Sequence, residues 1–115
     1  MPPPNVTIAG AAEVTARLGE WPSFHDSEII RVHIERDGRS TVTIRLIDTK
    51  FHTNCVTFSF EKIAEMSLGG EEINVQNVIF DLHIETDNEL TTVSFAPCFG
   101  LAGYIEAKSV SVSLD

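Results

Sequence analysis

Apolar side chains recur at every second position in segment after segment of this chain, a period that strands satisfy and helices do not. Ile30, Val32 and Ile34 alternate with Arg31, His33 and Glu35, and Val42, Ile44 and Leu46 alternate with Thr41, Thr43 and Arg45. Asp37-Gly38 separates these runs, a dipeptide that tolerates the positive φ angles of a two-residue or bulged hairpin loop. Val56, Phe58 and Phe60 repeat the pattern. Val78, Phe80, Leu82 and Ile84 follow it, then a turn at TDNE and a returning strand from about Leu90 to Phe95. In the last segment, Tyr104 to Leu114, Ile105 and Ala107 have one parity and Val110 and Val112 the other. A bulge near Lys108 would bring both sets to one face. The expected core is Ile30, Val32, Ile34, Val42, Ile44, Leu46, Val56, Phe58, Phe60, Val78, Phe80 and Leu82.

One helix is predicted ahead of these strands, over about Ile8 to Leu18, with Gly19 placed for a left-handed C-terminal cap. EKIAEMSLGG suggests a further short helical turn ending at Gly69-Gly70, and Gly100 and Gly103 read as turns. Short polar connections favour antiparallel pairing, since parallel pairs need long crossovers. The expected fold is therefore α+β, predominantly antiparallel β, with about six strands and one short N-terminal helix. One helix cannot cover such a sheet, so the sheet must curve, fold over into a sandwich, or bury its other face in a homodimer. Pro2, Pro3 and Pro4 make residues 1–6 a flexible tail, and residues 7–115 form the expected single domain.

The 115 residues carry 17 carboxylates against 8 Lys and Arg, a formal charge of −9. That balance argues against a nucleic-acid backbone or an anionic membrane surface as partner. No apolar run approaches the roughly 20 residues of a membrane helix, and the N-terminus has no basic and apolar leader, so a soluble cytoplasmic protein is expected. Cys55 and Cys98 are too far apart for a metal knuckle and read as unpaired, packed thiols.

The densest polar cluster is WPSFHDSEI, Trp21 to Ile29, where helix gives way to strand. Extending the alternation backwards puts Asp26 and Glu28 on one face, and two close carboxylates can do acid–base work or hold a metal. The structural reading has Trp21 and Phe24 plugging the core edge while Asp26 accepts backbone hydrogen bonds at the strand entry. His25, His33, His52 and His83 have no metal-ligand spacing, and no phosphate-binding glycine loop occurs, so no metal or cofactor is expected. His33 and His83 read as exposed, within reach of Glu35 or Asp81. Ser109, Ser111 and Ser113 alternate with Val110 and Val112 and read as the solvent side of a strand.

Carboxylates crowd the middle of the chain and one hairpin end, and a patch of this kind attracts a basic protein. Glu71, Glu72, Glu85, Asp87 and Glu89 are the partner-binding candidates, because turns hold their side chains in water.

WPSFHDSEI and the strand behind it, ending at Arg36, resemble the opening signature of the immunity protein 50 family of bacterial polymorphic toxin systems. INVQNVIFDLHIE and GLAGYIEAKSVSV resemble that family's second half, so the likeness spans about Trp21 to Val112. Trp21, Phe24, His25, Asp26 and Glu28 match the motif. The resemblance implies a small cytoplasmic α+β protein that binds and neutralises a cognate toxin and has no catalytic residues. A small hydrolase or metal-binding protein built on His25, Asp26 and Glu28 is the alternative.

Overall fold

The computed structural model describes residues 8–46, 55–70 and 77–114. The Pro-rich tail, His52, Glu71 and Glu72 lie outside them. The chain runs α1 (Ala11–Leu18), β1 (Glu28–His33), β2 (Ser40–Arg45), β3 (Cys55–Gly69), β4 (Val78–Asp87), β5 (Leu90–Phe99) and β6 (Ala102–Leu114). All strand neighbours are antiparallel, and the order β1-β2-β3-β6-β5-β4 closes into a barrel. Of the three ways to cover the sheet, the chain uses curvature, and the inner face is filled by its own side chains.

Curvature comes from a coordinated change of parity in the two longest strands. Phe60 faces Val110 and Ile63 faces Ala107, so the inward set shifts by one in β3 at Lys62 and in β6 at Lys108–Ser109. Lys62 has φ 58°, the left-handed geometry of a bulged strand. The parity change expected near Lys108 is therefore present, matched by one in β3 that the sequence did not announce. A further register shift follows between Ile63 and Glu65.

EKIAEMSLG is strand, not a helical turn: it continues β3 to Gly69 against Ala102–Ser109. Helix propensity at Glu61–Met66 is worth tenths of a kcal/mol per residue, and a complete ladder to β6 overrides it. Gly103 is likewise not a turn. It sits inside β6 at φ 134°, where an added Cβ would lie 1.8 Å from the Ser67 carbonyl oxygen. Asn88 and Glu89, at φ 49° and 70°, make the two-residue turn between the paired Asp87 and Leu90, as TDNE suggested. Asp37-Gly38 instead lies in a six-residue connection, 34–39. There the buried Ser40 hydroxyl accepts from Glu35 N (2.9 Å) and donates to Glu35 O (3.3 Å).

α1 is shorter than predicted because Ala9 accepts a backbone hydrogen bond from Val112 N (2.8 Å), and Gly10, at φ 90°, turns the chain into the helix. Gly19 ends it in the left-handed conformation expected, donating to Thr15 O. Ala11 and Val14 join the core.

Val42, Ile44, Leu46, Val56, Phe58 and Phe60 are buried, as predicted, and Val78 and Leu82 are half-buried. Ile30, Val32 and Ile34 are not core: they are 43%, 39% and 44% exposed, and Phe80 is 58% exposed. Bulges explain Ile30 and Phe80, whereas Val32 keeps its inward place opposite Val42 and is exposed where β1 parts from β4, and Ile34 lies beyond the end of β1. The β1–β2 register shifts between Ile29 and Arg31, and the β4–β5 register shifts on both sides of Ile79, so Ile29 and Ile79 take the buried places. Cys98 is exposed and Cys55 half-buried, so neither is a fully packed thiol. No helix among the described residues is long and apolar enough to cross a membrane.

Candidate functional site

The barrel closes through one strand pair, Glu28 with Val78, and the WPSFHDSEI segment supplies the rest of the seam. Asp26 N donates to Ile79 O, Ile79 N to Ser27 O, and Ile29 N to Asn77 O, each at 2.8 Å. Trp21 and Phe24 are buried, and their rings meet Phe58 at centroid distances of 6.4 and 5.7 Å, so the segment also plugs the core. Reaching both the seam and the core bends the chain sharply: Phe24 and Asp26 have φ of 63° and 66°.

The motif's side chains do not assemble a carboxylate pair. Glu28 is drawn across the ladder to Arg45, its register partner. The Asp26 carboxylate is exposed, 3.5 Å from His25 Nε2, and among the described residues it accepts none of the backbone amides expected of it. Asp26 acts at the strand entry through its main-chain N–H instead. His25 Nδ1 lies 2.7 Å from Phe80 O, and its ring meets the Phe80 ring edge-on at 5.4 Å. His33 and His83 are exposed and pair within their own segments, each 2.8 Å from the carboxylate two residues on, Glu35 and Glu85. No group of three metal-ligating side chains occurs among the described residues. A cleft of about 380 Å³ lies beside β1, lined by Ile29, Ile30, Val32, Leu68 and Leu101 with Arg31, Gly69 and Asn77. It is a mostly apolar recess, and Arg31 is the charged residue among those that line it.

Charge is concentrated elsewhere. From residue 63 to residue 107 the chain has eight carboxylates (Glu65, Glu71, Glu72, Asp81, Glu85, Asp87, Glu89 and Glu106) and no Lys or Arg. That stretch carries −8 of the −9, and the remainder of the chain is nearly balanced. Strand register then gathers its described members. Glu85 faces Thr92, Thr92 faces Glu106, and Glu106 faces Glu65, one row across β4, β5, β6 and β3. The next row is His83, Ser94, Tyr104 and Ser67. At strand spacings of about 4.8 Å each row spans roughly 14 Å. Asp81, Asp87 and Glu89 are exposed on the same hairpin.

Carboxylates opposed on neighbouring strands, as Glu106 and Glu65 are, repel. Hydroxyl groups offset part of this repulsion: Thr92 Oγ1 donates to Glu106 Oε2 (3.2 Å) and Tyr104 OH to Glu65 Oε1 (2.5 Å). The bond to Glu65 holds the Tyr104 phenol above its ordinary pKa, with lesser contributions from desolvation and from the charges of Glu65 and Glu106. Of the candidates named from sequence, Glu85, Asp87 and Glu89 belong to this hairpin. Glu65, Glu106 and Tyr104 were missed. The absence of any cation from 63 to 107 was the signal available; their meeting depends on register.

Compared with models of protein families, with curated sequences and with solved structures, the chain matches none.

Proposed function

We propose that this chain is an immunity protein that binds a cognate toxin one-to-one in the cytoplasm and neutralises it, without catalysis of its own. The observation that carries this reading is the row Glu85–Thr92–Glu106–Glu65, drawn from a stretch of sequence, residues 63–107, that carries −8 of the −9. Like charges side by side disfavour the folded state, whereas the same field steers and orients a positively charged partner. A toxin whose substrate cleft is basic, as a nuclease's is, fits that field. The resemblance of WPSFHDSEI to the immunity protein 50 signature supports the reading independently of charge. Its main-chain role at the seam gives a reason for the motif that needs no chemistry.

The reading expects the neighbouring gene to encode a large toxin, and the test is co-expression with that gene's product. The expected results are rescue of growth, a 1:1 complex on size exclusion, and an association rate that falls steeply with salt while dissociation changes little. Glu65→Gln, Glu85→Gln and Glu106→Gln together should slow association as salt does. Turnover of a small substrate, abolished by Asp26→Asn or Glu28→Gln, would instead establish a hydrolase and overturn this reading.

A further inference from the structure

We infer that the free edge of β4, from Leu82 to Asp87, receives an extended Lys- or Arg-bearing segment of the partner as an added strand. This rests on the chain being a binding protein for a basic partner.

The edge arises from how the barrel closes. β1 pairs with β4 only at Glu28 and Val78, and the loop before β1 extends the contact to Ile79 and, through His25, to the Phe80 carbonyl. The left-handed residues Asp26 and Phe24 then turn the chain away from β4, and Phe24 and Trp21 enter the core. Beyond Phe80, β4 has no ladder partner on that side among the described residues, while β5 pairs its other side as far as Asp87 with Leu90. Six residues of regular strand, about 20 Å, thus present peptide groups that no described residue pairs, a geometry that templates the addition of another strand.

Charge decides what fits there. The exposed charged and imidazole side chains along β4 are Asp81, His83, Glu85 and Asp87 at alternate positions, with Thr86 also exposed, while Ile84 points into the core. A second copy is disfavoured. Antiparallel self-pairing centred on His83 sets Asp81 against Glu85, centred on Ile84 it sets Asp81 against Asp87, and centred on Glu85 it opposes two Glu85 side chains. A strand with Lys or Arg at every second residue meets a carboxylate at two of the three such positions of the edge, Glu85 and Asp87, with Asp81 just before it. Phe80, pushed outward by the bulges flanking Ile79 and braced by the His25 ring, stands at the start of the edge as an apolar contact.

The probe is an eight-residue capped peptide alternating Lys with Thr, titrated into the isotope-labelled full chain while amide exchange is followed by NMR. At about ten times the dissociation constant, exchange at alternate β4 amides between Leu82 and Asp87 should slow by about tenfold. Glu85→Lys, an exposed change, should abolish that protection in a protein of unchanged melting temperature, and N-methylation of the peptide's alternate amides should abolish it in the unaltered protein. Shifts confined to Glu65, Tyr104 and Glu106 without slowed β4 exchange would overturn the edge inference and leave the acidic-face reading standing. No change at β4 of any kind overturns it equally. Failure of the toxin reading is seen separately, as loss of growth rescue on co-expression.

Discussion

Val32 faces Val42 directly in the β1–β2 ladder, yet Val32 is 39% exposed and Val42 has no exposed surface. Directly opposed residues of an antiparallel pair share a face, so both side chains point to the inner side of the sheet. They differ because β1 leaves β4 after Glu28: Val42 meets the filled barrel, and Val32 opens on the cleft beside Leu68 and Leu101.

The two valines should therefore respond differently to one hydroxyl. Val42→Thr buries a polar group in the packed interior and should destabilise by about 1 to 3 kcal/mol. Val32→Thr leaves its hydroxyl in water and should stay within about 0.5 kcal/mol. Urea denaturation of both variants is the measurement, and equal losses would contradict the open seam.

At Asp26 the backbone matters more than the carboxylate. Asp26→Gly keeps the N–H that donates to Ile79 and relieves a left-handed conformation, so melting temperature should hold or rise. Asp26→Val imposes a β-branched side chain at φ 66° and should lose at least about 1 to 2 kcal/mol. An Asp26→Gly variant as unstable as Asp26→Val would show that the carboxylate supports the fold.

Gly103 permits β3 and β6 to approach closely. Gly103→Ala sets a Cβ against the Ser67 carbonyl at a φ unfavourable to any other residue, and should destabilise by about 1 to 3 kcal/mol or more. Gly69→Ala, with open space at its Cβ, is the control and should change stability little. Thermal melts of the pair decide it.

The Tyr104 phenol should titrate above the ordinary 10, read from phenolate absorbance, and Glu65→Gln should bring it down by removing the charged acceptor. Because the folded-state pKa is the higher one, the neutral phenol's contribution to stability is complete below the unfolded value. It is lost as pH rises through the folded one. A phenol that titrates identically in both proteins would break the assigned hydrogen bond.

Alternation along the chain, the Asn88-Glu89 turn and the Gly19 cap are local properties, and they were enough to specify strands, their antiparallel pairing and one short helix. The apolar rings of Trp21 and Phe24 likewise marked themselves for burial. Which parity faces inward is a different kind of property. It changes at Ile29–Arg31, around Ile79 and at Lys62, because each bulge is set by the partner strand and by barrel closure, neither of which leaves a mark in a window of ten residues. Helical residues at Glu61–Met66 became strand because a ladder 39 to 48 positions away was waiting for them. For the same reason Glu65 and Glu106 could be seen as acidic in the sequence but not as neighbours: adjacency across a sheet is a property of register, and closing the barrel set it.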